Sequence, residues 1–315
     1  MTVSVAMCTY NGAQYIEEQL RSILHQTRPV DEIIVSDDGS SDDTLNILRT
    51  YAEKYPCLHY TKNLKNKGFK QNFMDTMRQC SGDIVFLSDQ DDCWHPNKVE
   101  YILDWFNKHP NLQLVFTNAN IIDGDGKSTG ETLFDFVGFD SEKQKAALHG
   151  FLVDILCVGN RATGATMAIH KKFINKFKDE WYVNKKFHDE ALVLEAAGKE
   201  VAGFIREPIM DYRLHDKNAA GLDRAGYLYR SPYIPLMVTY DGEVRWTKRT
   251  QQLVAFSRQR STFKYSWFGM KIYAFIFRYV HLYGSLCYKA FFCDIKEAWV
   301  HSIIRMHNMI NRMKL

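Results

Sequence analysis

The sequence predicts an α/β protein, with a mostly parallel central sheet flanked by helices and a helical C-terminal extension. Three observations predict it. From residue 3 onward a strand, a polar loop and a helix recur in that order, the grammar of βαβ units. Ile84-Val85-Phe86-Leu87 is a continuous apolar run, as expected of a strand buried on both faces of a parallel sheet. That run ends in Asp89, Asp91 and Asp92, three carboxylates within four residues, and open α/β sheets carry ligands at the carboxyl ends of their strands.

Composition bounds the answer. A chain of 315 residues with 46% hydrophobic and 24% charged content can bury a large core, which excludes wholesale disorder. The formal net charge of +3 hides an asymmetry: from Arg245 onward thirteen Lys and Arg face two acids, Asp294 and Glu297, so the preceding body is acidic. Seven cysteines without a Cys-x-x-Cys pair argue against a disulfide framework or structural zinc and for reduced thiols. Met1-Thr2-Val3-Ser4-Val5 enters a strand without the pattern of a signal peptide, and no apolar run approaches the ~20 residues needed to span a bilayer. The expectation is a cytoplasmic protein, peripheral at most to the inner face of the membrane.

The elements follow in order. Strand 3–7 leads to the turn Cys8-Thr9-Tyr10-Asn11-Gly12 and a helix carrying Tyr15, Ile16, Leu20, Ile23 and Leu24 on one face. Ile33-Ile34-Val35 is a second strand, ending in the polar run 36–44 before a helix through Leu45, Ile47, Leu48 and Tyr51. His59-Tyr60 marks a third strand, followed by the 66–72 loop and another helix. The acidic strand is the fourth. Four strand ends thus deliver Asn11, Asp37 and Asp38, the 66–72 loop and the acidic cluster to one rim. Crowded, buried carboxylates repel one another, and a cation resolves the repulsion; hard oxygen ligands suit Mg²⁺ or Mn²⁺. The competing reading is structural: a solvated acidic turn capping the helix after Pro96, with Asn11 making its turn and residues 36–38 capping theirs.

Neither Gly-x-Gly-x-x-Gly nor Gly-x-x-x-x-Gly-Lys-[Ser/Thr] occurs, which disfavours a dinucleotide fold and a P-loop. Instead Val5-Ala6-Met7-Cys8-Thr9-Tyr10-Asn11-Gly12, Ile34-Val35-Ser36-Asp37-Asp38-Gly39-Ser40 with Thr44, and Asp89-Gln90-Asp91-Asp92 agree in order and spacing with the family 2 glycosyltransferases. The chain resembles that family, and bacterial rhamnosyltransferase-like members in particular, to about residue 220. The resemblance implies a GT-A fold spanning 1–235, with a nucleotide-binding half to about 118 and an acceptor half over 119–235. It implies that Thr9, Tyr10, Asn11 and Asp38, with Gly68 and Asn72 of the following loop, hold the nucleoside. It implies that Asp89 flanks sugar and nucleotide and that Asp91 is the direct metal ligand, with Asp92 as a neighbour. Gln90 departs from the family, which usually has a small residue there.

Leu114-Val115-Phe116-Thr117 is a further strand, with Asn118-Ala119-Asn120 leading into a hairpin turn at Asp123-Gly124-Asp125-Gly126-Lys127. The turn lacks the spacing of a Ca²⁺ loop. Residues 131–160 read as a variable loop and helix, and 164–169 as a strand of small residues. Phe187-His188-Asp189-Glu190 opens a helix. By resemblance Asp189 is the base that takes the acceptor's proton, with Glu190 as the competing carboxylate. Tyr212-Arg213-Leu214-His215, after the strand 201–205, resembles the family's Tyr-Arg-x-His segment. It places Arg213 or His215 near the departing diphosphate, with His215 also a metal neighbour. Residues 219–222 and Arg224 would close over the donor.

Residues 236–315 form a basic, aromatic-rich region suited to an anionic membrane surface, to self-association as a homodimer, or to packing on the body. Without a recognition motif, nucleic acid is not an expected partner. The predicted activity is inverting, metal-dependent hexosyl transfer from dTDP-rhamnose, UDP-glucose or UDP-galactose to a hydroxyl of a glycan or lipid-linked saccharide in polysaccharide assembly of the cell envelope. The alternatives are a sugar nucleotidyltransferase or a noncatalytic scaffold of the same fold.

Overall fold

A computed structural model describes residues 1–148, 152, 160–177, 187–216, 218, 238–240 and 243–245. The chain separates into two units, Met1–Thr250 and Gln251–Leu315. The second unit, the domain boundary expected near 235 and the 219–224 loop lie outside the described residues.

The first four strands are β1 (Val3–Thr9), β2 (Glu32–Asp37), β3 (Leu58–Lys62) and β4 (Ile84–Ser88), joined by helices α1 (Ile16–Leu24), α2 (Thr44–Lys54) and α3 (Phe69–Gln79). All pair in parallel, β1 lying between β2 and β4. Every residue of β1 and β4 is buried, which is why both read as unbroken apolar or small-residue runs. The amphipathic helices cover them: α1 buries Ile16, Leu20 and Ile23, and α3 packs Phe73, Met74 and Met77 inward against β1 and β2. The chain steps outward from β1 through β2 to β3, then returns to place β4 on the other side of β1. That reversal opens a crevice between the carboxyl ends of β1 and β4.

Beyond β4 the sheet becomes mixed. The later strands are β5 (Cys93–Trp94), β6 (Leu114–Ile122), β7 (Ser128–Thr132), β8 (Met167–His170) and β9 (Ala202–Arg213). The nine-stranded order is β3-β2-β1-β4-β8-β6-β9-β5, with β7 paired to β6. β8 runs antiparallel to both β4 and β6, whereas β6 and β9 are parallel. Helix α4 (Lys98–Lys108) precedes β6; α5 (Leu133–Phe136), α6 (Ser141–Ala146), α7 (Lys171–Ile174) and α8 (His188–Gly198) complete the described helices. A separate hairpin pairs β10 (Val238–Tyr240) with β11 (Glu243–Arg245).

Three details differ from the reading of the sequence. Asn118 to Asn120 continue β6 instead of leaving it, since the pairing with β9 persists across a shift of register there. The Asn118 carboxamide accepts from the Ala119 and Phe134 amides at 3.0 and 2.9 Å, supplying an acceptor where the strand is irregular. Residues Gly164–Thr166 form a 3₁₀ turn, closed when the Thr166 amide and hydroxyl both donate to the Thr163 carbonyl, so the strand starts only at Met167. Tyr212 and Arg213 end β9 itself rather than following it. The hairpin turn at 123–127 forms as expected, with the Asp123 carboxylate accepting from the amides of Asp125 and Lys127.

Gly82, just before β4, has no room for a side chain: a Cβ there would lie 2.7 Å from the amide nitrogen of Ser4. Its amide donates to Ser4 Oγ, which in turn donates to Glu32, linking β4, β1 and β2. Gly82→Ala is expected to lower unfolding free energy by about 2 kcal/mol or more, seen as a lower urea midpoint at unchanged m-value. An unaltered midpoint would refute this steric assignment.

Candidate functional site

The loops after β1 and β2 are held to each other. Thr9 Oγ1 donates to the Asp37 carboxylate at 2.8 Å, and that carboxylate also accepts from the amides of Gly39 and Ser40. Asp37 is therefore spent on shaping the turn. Asn11 adopts a left-handed conformation, φ 49°, and its carboxamide oxygen accepts from the Ser41 amide at 2.9 Å. Its turn-making role is real. Asp38 accepts from the Lys67 and Gly68 amides at 2.8 Å each and from Asn63 at 2.9 Å, so the β3–α3 loop folds over it. Gly68 has φ +77°, which a side chain would strain. Asn72 is buried and pins the same loop, accepting from Ser36 Oγ and Asn63 and donating to the Ser36 carbonyl. Tyr10, just after β1, is half exposed.

The acidic cluster forms. Asp89, Asp91 and Asp92 each offer an oxygen, all within 4.8 Å of one another. It does not cap the next helix: β5 intervenes, and α4 begins at Lys98 behind Asn97, which makes no side-chain cap. The solvated-turn reading fails because Asp91 and Asp92 are buried.

One partner was missed in the sequence. Lys98 is completely buried, its ammonium 3.2 Å from the Ala165 carbonyl and 4.0 Å above the Trp94 ring. Four residues before Ile102, it lies on the apolar stripe of α4, and a lysine on such a stripe is the signal that was available. Burial pushes Asp89 up to about 8, aided by the charges of Asp91 and Asp189 and opposed by Lys98. Burial raises Asp92 well above the usual carboxylate range, with Asp91 and Asp89 adding to it. Burial lowers Lys98 to about 7, against the pull of Asp92 and Asp89. Asp92 Oδ2 is buried with no hydrogen-bond partner among the described residues, whereas its Oδ1 accepts from the Arg213 amide.

Arg213 and His215 part company. Arg213 is 2% exposed, and its guanidinium is engaged on several sides. Nε donates to the Asp91 carbonyl at 2.8 Å, an Nη donates to Glu18 at 2.6 Å, and the plane lies 4.8 Å from the Tyr15 ring centre. Its direct partners are protein groups, and it ties the acidic loop to α1. His215 reaches the carboxylates: its Nε2 lies 2.9 Å from Asp91 Oδ2, and its ring packs against Tyr15. Three carboxylates, an imidazole and an unpartnered carboxylate oxygen make a hard, oxygen-rich donor set that fits Mg²⁺ or Mn²⁺.

Asp189 stands in the first turn of α8. Its carboxylate accepts from the Gly164 amide at 3.2 Å and the Glu190 amide at 2.6 Å. Burial pushes its carboxyl up to about 7; the Glu190 charge adds to this, and the two amides oppose it. Its charge is felt at Asp89, and Gly164 adjoins Ala165, the acceptor of Lys98; the base candidate and the acidic cluster therefore share one neighbourhood. A Cβ on Gly164 would lie 3.1 Å from His188 Nε2 and 3.6 Å from Asp189 Cβ.

Comparisons with known proteins bear on the family and the fold. Residues 4–178 match the family model described as Glycosyl transferase family 2. The dTDP-rhamnosyl transferase RfbG of Shigella flexneri is 30% identical over 241 residues, covering 68% of this chain and 73% of that protein. Among solved structures, S. aureus TarS 1-349 with UDP-GlcNAc superposes with a TM-score of 0.53 at 18% identity, covering 70% of this chain and 60% of that one. The mannosyltransferase PcManGT from Pyrobaculum calidifontis, with GDP-Man and Mn²⁺, gives 0.50 at 16% identity, covering 96% and 82%. These two structural likenesses concern the fold alone.

His188, beside Asp189, is buried between Phe73, stacked at 4.5 Å, and the edge of Phe69, with neither ring nitrogen hydrogen-bonded among the described residues. Burial lowers its pKa to about 3, with the Lys70 charge adding to the effect. The unfolded chain therefore binds one more proton than the native state between pH 3 and 6.5. Stability should rise with pH across that window, the cost at pH 5 being about 2 kcal/mol. In denaturant titrations at pH 5 and 7, His188→Phe is expected to shrink the difference by that amount. An unchanged difference would show that the imidazole does not titrate as a buried group.

Proposed function

Because the chain belongs to glycosyl transferase family 2, we propose that it moves a hexose from a nucleoside-diphosphate sugar to a hydroxyl of a glycan or lipid-linked saccharide, inverting the anomeric centre. The observation that carries this reading is the cluster of Asp89 with the buried Asp91 and Asp92 at the crevice end of β4, with Asp189 close enough to act on Asp89. The likeness to a dTDP-rhamnosyl transferase makes dTDP-rhamnose the first donor to test, ahead of UDP-glucose and UDP-galactose.

The residues divide the work. Thr9, Tyr10, Asn11, Asp38, Gly68 and Asn72 form the nucleoside end of the donor site. Asp38 supplies a carboxylate, while Gly68, Thr9 and Asn72 hold the loops around it. Asp91 with His215, flanked by Asp89 and Asp92, would hold Mg²⁺ or Mn²⁺ at the diphosphate end of the site. When bound, such an ion supplies Lewis-acid stabilisation of the negative charge on the leaving group. Arg213 fixes the backbone of Asp91 and so the placement of that carboxylate. The acceptor oxygen attacks the anomeric carbon, the bond to the diphosphate oxygen breaks, and Asp189 takes the acceptor's proton. The hydrogen bond from Gly164 holds the Asp189 carboxylate in place while burial keeps its basicity close to neutral.

Asp189→Asn is expected to lower kcat roughly 10²–10⁴-fold while leaving dTDP affinity nearly intact. Because Asp189 is competent only when ionised and its pKa is raised to about 7, kcat/KM of the native enzyme should fall as pH drops below about 7. Equal turnover by the variant would transfer the role to Glu190. Asp91→Ala should abolish the gain in dTDP or UDP affinity that Mn²⁺ confers, measured by calorimetry; a full gain in the variant would remove Asp91 from the metal site. Screening dTDP-rhamnose, UDP-glucose and UDP-galactose by Mn²⁺-dependent thermal shift tests the donor, since a ligand of the folded state raises Tm. No shift with any of them would overturn the proposed donors.

A further inference from the structure

The parallel ladder between β1 and β4 ends at Met7 opposite Ser88, leaving the loops beyond to diverge across the crevice. One side chain crosses it. The Gln90 carboxamide accepts from the Tyr10 amide at 2.9 Å and donates to the Tyr10 carbonyl at 3.1 Å, both bonds to a single residue's main chain. A primary amide has the same donor and acceptor as a peptide group, so Gln90 extends the ladder by one rung after the strands have parted. The opposite side of the Tyr10 loop is held separately: the Asn11 amide donates to Ser40 Oγ and the Gly12 amide to Thr44 Oγ1, each at 2.8–2.9 Å.

Gly12 carries the complementary signature. A Cβ on it would lie 2.1 Å from Gln90 Oε1 and 2.4 Å from Gln90 Cδ. Its backbone is not in the left-handed region, so a side chain at 12 would act by displacing the Gln90 carboxamide. Gly12 and Gln90 are a matched pair, although 78 residues separate them. A small residue at 90 could not span this gap.

We infer that Gln90 is a positioning residue that sets the distance between the nucleoside end and the diphosphate end of the donor site, by locking Tyr10 to the loop that carries Asp89, Asp91 and Asp92. This rests on the donor-site reading above. Asp91 and Asp92 are anchored independently by Arg213 and His215, so loss of the Gln90 rung frees the Tyr10 side and leaves the metal side in place.

The test uses the full chain, with dTDP and UDP as probes, titrated by calorimetry with and without Mn²⁺. Gln90→Met preserves length and removes both hydrogen bonds; it is expected to weaken nucleotide binding about tenfold in the presence of Mn²⁺. Binding of Mn²⁺ alone should stay within about twofold of the native protein, a split that general loosening of the fold would not produce. Gly12→Ala should weaken nucleotide binding to the same degree by expelling the carboxamide. Combined with Gln90→Ala it should cost no more than Gln90→Ala alone. Native affinity in Gln90→Met, or losses that multiply in the double variant, would overturn the inference, provided that Tyr10→Ala weakens binding. Native affinity in Tyr10→Ala would overturn the donor-site reading instead, and the inference with it.

Discussion

Three carboxylates at the end of a buried strand cannot all stay charged in a poorly solvated place without compensation. That constraint organises the surroundings of β4. Lys98 lies in the core, where its charge acts on Asp89 and Asp92, although a lysine side chain is seldom fully buried. Arg213 leaves solvent to grip the Asp91 carbonyl, and its own amide serves Asp92. His215 is drawn onto Asp91. These partners come from α4, the end of β9 and the segment after it, so balancing the charge also brings distant parts of the chain together. The balance is incomplete: Asp89 and Asp92 are held toward their protonated forms, and Asp92 retains a buried oxygen with no partner among the described residues. A site left short of positive charge in this way is suited to a divalent cation.

The remainder of the site depends on the sheet. The parallel arrangement of β1 to β4 sends their carboxyl ends to one rim, and the reversal in strand order opens the crevice between β1 and β4. Once the sheet turns mixed at β8, the 3₁₀ turn before that strand presents the Gly164 amide to Asp189 and the Ala165 carbonyl to Lys98. A single short turn thereby connects the base candidate to the counter-charge of the acidic cluster. Turns of this kind need small residues, since a side chain on Gly164 would press on His188.

Much of this was legible in one dimension. The helices and strands of the first hundred residues follow from apolar periodicity, because burial on one face or on both leaves a direct imprint on residue order. The acidic run was conspicuous for a similar reason: unshielded like charges are rare in neighbouring positions behind a buried strand. Asp189, Arg213 and His215 came from resemblance to a family, not from periodicity, and their surroundings were out of reach. Arg213 illustrates the limit. Its charge suggested a partner for a diphosphate, whereas its neighbours Tyr15, Glu18 and Asp91 turn it into a brace, and no local pattern announces contacts across two hundred residues.

The amino-acid order by itself determined the α/β class, the rim at which polar loops collect and the presence of an oxygen-rich acidic motif, since each depends on local alternation and composition. Tertiary structure alone decided which carboxylates come together, that Lys98 is buried close enough for its charge to act on them, and that Gln90 spans the crevice to Tyr10 over Gly12. The physical reason is that charge compensation and steric fit act through space over a few ångströms, between residues whose separation along the chain carries no trace of that proximity.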